Sequence, residues 1–523
     1  MGKKQAVNPY LPGYEYIPDA EPHIVGDRVY IYGSHDKFNG LNFCLGDYIC
    51  YSAPVDDLGN WRYEGTIFRK EQDPAAKPGR VLNGMAAPDM VQGHDGRFYL
   101  YYFIGGTGMI SVAVCDEPGG SYEFYGYVHY ADEVPIGKKG EPFMFDPGVF
   151  MDDDGRLYLY VGFGLKSNPI ILGGHKPTLV GPMCYELDPA DMLSVVHGPR
   201  HIGVAGEMNS TGSGYEGHEF LEASSMRKFD GKYYFIYSSL QSHELCYAYS
   251  DHPYKDFKFG GVLVSNGDIG LDGLEYGGKA ETAYMLRHAK NDTGNTHGSL
   301  IEIGGRHYIF YHRQTNRKQS SRQACAEEIR FENGRFYQAE MTSCGLNVGP
   351  LSGKGVYPAN ICCNLYGRNG TRFLSMIKRP ALGVPYLTQT GPDYDPIEPE
   401  GKRNKACSDG AKPPVQYVAN VCDGAVVGYK YFDLKDSGAI AFRLRGQAQG
   451  ILRVCAAEDG SHEVGAVEIG VNSRKLQVFE TFLSKDSIAE TYESIDGSLE
   501  RGLPLFLRYE GKGSFDLVSF KLK

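Results

Sequence analysis

Five polar residues able to donate or accept protons stand at similar distances ahead of a glycine turn. They are Asp19 or Glu21 before Gly26, Asp89 before Gly96, Asp146 before Gly155, Glu222 before Gly231, and His297 before Gly305. The gaps are 7 (or 5), 7, 9, 9 and 8 residues. Two carboxyl groups facing each other across a pocket can split an acetal. One protonates the leaving oxygen, and the other takes a proton from water on the opposite face of the sugar. Their pKa values must be pushed apart, which a third acid helps to do. Acids gathered around one point are also oxygen ligands for Ca²⁺. Hydrolysis and cation binding are both open on this pattern alone.

The elements that would position these residues repeat with them. Each glycine opens a Tyr-rich β-run: Gly26-Asp-Arg-Val-Tyr-Ile-Tyr, Gly96-Arg-Phe-Tyr-Leu-Tyr-Tyr, Gly155-Arg-Leu-Tyr-Leu-Tyr-Val, Gly231-Lys-Tyr-Tyr-Phe-Ile-Tyr and Gly305-Arg-His-Tyr-Ile-Phe-Tyr. The units span 59 to 76 residues. A third run follows in four of them, as in Tyr48-Ile-Cys-Tyr-Ser and Leu245-Cys-Tyr-Ala-Tyr, and three of these continue into Ser52-Ala-Pro, Asp116-Glu-Pro and Asp251-His-Pro. Helical periodicity is nearly absent. Five such units predict a five-bladed β-propeller, whose first strands line the axis. Asp95, Asp154 and Asp230 directly precede the glycines and are ordinary turn residues. That chemistry does not account for Asp146 and Glu222, nine residues upstream.

The reading is all-β: a propeller over 1–345, a connecting segment over 346–413 and a C-terminal β-sandwich over 414–523. Residues 390–405, rich in proline and charge, read as an exposed linker. Residues 503–520 read as a strand, a turn and a strand. The chain has 523 residues, 42% hydrophobic, enough for a sizeable core. A net charge of −11 without a long Lys/Arg run argues against nucleic acid and membrane surfaces as partners. The opening Met-Gly-Lys-Lys-Gln-Ala-Val-Asn has no apolar core of a secretion signal, so a cytoplasmic location is expected. The twelve cysteines have no framework spacing, and many, such as Cys50, Cys115, Cys184, Cys246 and Cys325, sit in β-runs as reduced, buried thiols would.

Three segments resemble glycoside hydrolase family 43. They are Asn8-Pro-Tyr-Leu-Pro-Gly with Asp19-Ala-Glu-Pro-His-Ile-Val-Gly, then Phe145-Asp-Pro-Gly-Val-Phe-Met-Asp-Asp-Asp-Gly, then Glu222-Ala-Ser-Ser-Met-Arg-Lys-Phe-Asp-Gly. The resemblance implies a five-bladed, inverting enzyme with Glu222 as general acid and Asp146 as the acid that raises its pKa. The base falls on Asp19 by counting back from Gly26, with Glu21 as the alternative from the acid–Pro pair. We favour Asp19. The resemblance further implies substrate contacts from Asp89, His297 and Arg322, with His297 also near an axial Ca²⁺. Phe145, Phe38 and Tyr215 are candidates to stack on a sugar ring. No cofactor is needed for the chemistry, and a structural Ca²⁺ at the axis is the metal implied. The expected reaction is exo-release of α-L-arabinofuranosyl or β-D-xylosyl units from plant oligosaccharides. A β-galactosidase of the same fold, or a non-catalytic sugar-binding propeller, is the alternative. The closing Tyr-Glu-Gly-Lys-Gly-Ser-Phe-Asp resembles a family 6 carbohydrate-binding module, although the sole tryptophan is Trp61.

Overall fold

Each Tyr-rich run forms the second strand of an antiparallel blade. The computed structural model describes residues 4–76, 84–166, 172–273, 286–399, 412–495 and 498–523. Blade one is β1 (Glu21–Val25), β2 (Arg28–Tyr32), β3 (Tyr48–Pro54) and β4 (Arg62–Phe68). Blade two is β5 (Met85–Gln92), β6 (Phe98–Ile104), β7 (Ile110–Cys115) and β8 (Glu123–Tyr127). Blade three is β9 (Gly148–Met151), β10 (Leu157–Val161), β11 (Met183–Leu187) and β12 (Val195–His201). Blade four is β13 (Phe220–Phe229), β14 (Lys232–Ser239), β15 (Glu244–Ser250) and β16 (Lys258–Ser265). Blade five has three strands, β17 (Ser299–Ile303), β18 (Arg306–Thr315) and β19 (Lys318–Glu328). Consecutive first strands adjoin one another, and Ala20 bridges Gly298 to close the ring between blades five and one. Asn8 ties the N-terminal segment to β19, donating to the Ala326 carbonyl at 3.0 Å and accepting from its N–H at 3.1 Å.

The apolar core is divided among the seams between blades. Tyr32 and Tyr48 meet Leu100 and Tyr102 between blades one and two, and Tyr160 meets Phe235 between three and four. Ile31 and Ile49 meet Phe310 between one and five. A buried phenol needs an acceptor, and two of the seam tyrosines find one on the neighbouring blade. Tyr32 donates to the Pro118 carbonyl at 2.7 Å, and Tyr160 donates to the Pro253 carbonyl at 2.8 Å. The repeated Pro turns of blades two and four thus receive hydroxyls from the preceding blades.

A short hairpin, β20 (Phe331–Glu332) and β21 (Arg335–Phe336), leaves the propeller. A nine-stranded sheet follows, built from β22 (Leu351–Ser352), β23 (Gly355–Pro358), β24 (Asn364–Tyr366), β25 (Tyr386–Gln389), β26 (Gln416–Cys422), β27 (Val426–Asp433), β28 (Ala439–Cys455), β29 (Glu463–Phe482) and β30 (Leu503–Leu522). It draws four strands from 351–389, within the stretch read as connecting. The turn expected within 503–520 is absent, because β30 runs unbroken. Its glycines serve close approach: a Cβ at Gly513 would lie 2.0 Å from the Gln447 carbonyl oxygen. A helix, Lys485–Ser494, capped by the Ser484 side chain, was not legible as a period. The 390–405 linker reading is also corrected. Asp393, Asp395 and Glu398 pack onto blade one, while 400–405 lie outside the described residues. Trp61 lies in the propeller against Tyr10, with ring centroids 4.8 Å apart. Among the described residues no helix is long and apolar enough to cross a membrane.

Candidate active site

The backbone leaves regular β-geometry where the acids occur. Asp19 has φ 59° and Asp146 φ 47°, both left-handed, just ahead of β1 and β9. Glu222 lies within β13 at register shifts on either side, and Ala223 beside it has φ 68°. A bulge re-aims a side chain and frees a ladder N–H. The Ala223 N–H donates to Asp146 Oδ2 at 3.2 Å, so the bulge that turns out Glu222 also anchors Asp146. Gly298 permits the approach of His297 to the axis, since a Cβ there would lie 1.8 Å from the Phe310 carbonyl oxygen.

Asp19, Asp146 and His297 are buried together, and Glu222 remains partly exposed beside them. His297 Nδ1 lies 3.5 Å from Asp146 and 3.9 Å from Asp19, and Nε2 lies 3.9 Å from Glu21. Burial favours the neutral ring, but the three carboxylates outweigh it and push His297 up to about 9. The surrounding carboxylates thus favour its protonated form.

Asp19 and Glu222 are driven in opposite directions. Burial raises Asp19, yet Arg322, His297 and His312 together hold it below the ordinary carboxylate range. Arg322 donates to Asp19 Oδ1 at 2.9 Å. Burial of Glu222 and the neighbouring charges of Asp146 and Asp19 push its carboxyl up to about 8 against His297 and Arg322. Asp146 itself is raised by burial, with His297 opposing. One carboxylate is ready to accept a proton and one carboxylic acid is ready to give one.

The other candidates fall into place around this group. Glu21 faces inward like Asp19 but accepts from Arg227 at 2.5 Å and from Ser225 at 3.0 Å. Burial and Asp89 push it up to about 7. Asp89 is fully buried and accepts from His23 at 2.8 Å and the Val149 N–H at 2.8 Å, which leaves it supporting the axis rather than facing a sugar. Arg322 is buried too. Its guanidinium lies on Asp36, with Nε–Oδ2 at 2.8 Å, as well as on Asp19, so it orients the acid instead of reaching outward. Phe145 is half-buried among Phe103, Phe143 and Phe163. Phe38 and Tyr215 are buried, Tyr215 against Phe259 in a seam. Asp36, Arg227, His312 and Ser225 escaped the sequence reading because none sits at the repeating position.

The family model for "Glycosyl hydrolases family 43" matches residues 8–336. This chain belongs to glycosyl hydrolases family 43. A Thermoclostridium stercorarium protein called a xylosidase/arabinosidase is 44% identical over 523 residues, 99% of each chain. Humicola insolens xylosidase/arabinosidase 43A is 30% identical over 328 residues, 57% of this chain and 88% of that one. A Bacteroides ovatus xylosidase/arabinosidase is 29% identical over 327 residues, 58% of this chain and 87% of that one. The chain is a family 43 glycosidase, and its substrate is a glycoside.

The resemblance implies a structural Ca²⁺ near His297, and the carboxylates of Asp19, Glu21 and Asp146, which lie 3.5–3.9 Å from its ring nitrogens, are oxygen ligands of the kind Ca²⁺ takes.

Proposed function

We propose that this family 43 glycosidase releases terminal xylosyl or arabinofuranosyl units from hemicellulose-type oligosaccharides with inversion at the anomeric carbon. Glu222 donates its proton to the departing glycosidic oxygen. Asp19 removes a proton from the water attacking the other face. Asp146 keeps Glu222 protonated through its charge and is itself held by the Ala223 N–H. The observation that carries this reading is the opposite poise of Asp19 and Glu222 in one group of side chains. Asp19 is preferred to Glu21 as base because Arg322 holds it in its ionised form, whereas burial and Asp89 push Glu21 up to about 7 against Arg227 and Ser225. The pentose assignment is supported by the names of the relatives over the propeller and, for the Thermoclostridium stercorarium protein, over the whole chain.

The test is turnover of aryl β-D-xyloside and aryl α-L-arabinofuranoside, with the first-formed anomer followed by NMR. Inverted product is expected. Glu222→Gln should lose roughly 10³-fold in kcat, at the scale of general-acid catalysis, while melting like the parent. Retained configuration, or normal turnover by that variant, would overturn the assignment.

A further inference from the structure

We propose that residues 389–395, from the last residue of β25 of the C-terminal sheet onward, are a positioning strap for the catalytic base: they hold loop 36–44, and the loop holds Arg322 against Asp19. The proposal rests on the reading of Asp19 as base.

The inner half of the connection is a closed set of contacts. Asp36 accepts from Arg322 Nε at 2.8 Å and from Nη2 at 3.0 Å. The Cys44 N–H donates to Asp36 at 2.9 Å and closes the loop on itself. Arg322 Nη2 also reaches Cys44 Sγ at 3.4 Å, and the guanidinium lies 4.6 Å from the Phe43 ring centroid. The loop therefore builds one side of the Arg322 site, and Asp19 builds the other. A guanidinium with a fixed fork transmits the placement of one carboxylate to the next.

The outer half comes from the strap. Asp393 accepts from the Phe38 N–H at 2.8 Å. Lys37 is held by Asp395 at 2.5 Å and Asp393 at 3.4 Å. Upstream in the strap, Gln389 accepts from Tyr16 at 2.7 Å and donates to the Pro392 carbonyl at 2.7 Å. The Tyr16 ring lies 5.8 Å from Phe38. Two consecutive loop residues are thus fixed by a segment more than 350 positions away in sequence. Residues 389–395 in this way help to position the base.

The charged and titratable groups facing Asp19 are Arg322, His297 and His312, with Asp146, Glu222, Cys44 and Tyr48 nearby. Of these, Cys44 belongs to the loop and Arg322 touches it. A loosened strap weakens the Arg322 contact and lets Asp19 take up a proton more readily. The acid limb of kcat/KM then moves up in pH.

The experiment uses the full chain carrying Asp393→Asn and Asp395→Asn together. The amide oxygen introduced at position 393 still accepts from the Phe38 N–H, while the negative charges that hold Lys37 are removed. We expect kcat on an aryl glycoside to fall about tenfold, the scale of a small misplacement, and the acid limb to rise by roughly 0.5–1 in pH. Lys37→Met removes the same tether from the loop side and should reproduce the shift. Glu398→Gln, whose carboxylate accepts from the Thr66 N–H at 2.9 Å on blade one, should leave the limb unmoved. A parental kcat and acid limb in the double variant, or in Lys37→Met if the double variant does not fold, overturns the strap. Asp19→Asn separates the two readings. If it is inactive while the strap variants behave as the parent, only the strap fails. If it turns over normally, the base assignment fails.

Discussion

Replacing His297 by Gln removes a buried cation on which three carboxylates converge, and the pH profile should report it. At contact distances of 3.5–3.9 Å and an effective dielectric near 20, each attraction is worth at most about 4–5 kcal/mol. Opposite charges at this range commonly move a pKa by about 1–3. Asp19 keeps Arg322 at 2.9 Å, so its rise should lie at the lower end, about 1. Glu222, already pushed up to about 8 against the pull of His297, should rise by roughly 0.5 more. The signs agree: loss of a positive charge raises every neighbouring carboxyl. Both limbs of kcat/KM therefore move to higher pH together. At a fixed pH below the acid limb, turnover drops about tenfold when that limb rises by 1 in pH. The assay is kcat/KM on an aryl xyloside across the bell in overlapping buffers, with melting curves alongside. A lower plateau with both limbs in place would show that His297 only fills space. A limb moving downward would refute the electrostatic account altogether.

Asp146→Asn should act in the reverse sense on Glu222. Removal of its negative charge lowers the basic limb from about 8 by roughly 1–2 in pH, measured on the same substrate. Gly298→Ala should push β17 off Phe310, since its Cβ would meet that carbonyl oxygen at 1.8 Å; a melting temperature equal to the parent's would contradict the packing. Lys430→Met should destabilise the fold by about 3–5 kcal/mol in chemical denaturation, because it strips a buried carboxylate of its partner. Lys430 lies 3.2 Å from Asp268 of the propeller side and 2.9 Å from Glu340. Burial raises Asp268 to about 6 even with Lys430 present. A raised folded-state carboxyl penalises the fold where it must ionise. The penalty in the variant is therefore largest above the folded pKa and fades as pH falls toward the ordinary carboxylate range.

The propeller was legible because its local chemistry repeats. The left-handed glycines at 26, 96, 155, 231 and 305 each open a two-sided buried strand, and that pair of signals recurs wherever a blade begins. The polar residue ahead of each pair marks the first strand. The same logic overreached at β30. Gly511 and Gly513 look like a turn, but the strand runs on through them: β28 comes too close for a side chain at both, and Gly513 also takes a left-handed φ of 75°. The linker reading of 390–399 failed for a related reason. A charged, proline-rich stretch has no apolar period, yet its carboxylates find Lys37, Phe38 and Thr66 on blade one. Composition cannot anticipate such partners, because the contacts are set by the placement of two remote segments.

The choice between Asp19 and Glu21 shows where a sequence stops being informative about chemistry. Both are buried at the axis, Glu21 from within β1 and Asp19 from a left-handed residue ahead of it. What separates them is supplied from other blades. Burial and Asp89 of blade two push Glu21 up to about 7, against Arg227 and Ser225 of blade four, 206 and 204 residues away. Arg322 of blade five closes on Asp19, 303 residues away, and is itself pinned by Asp36. A carboxylate's readiness to take a proton is a property of those neighbours, and of the burial that magnifies them. The repeat can therefore say which residues meet at the axis. Only the ring closure that gathers blades two, four and five around blade one decides which of these two acids is left ionised.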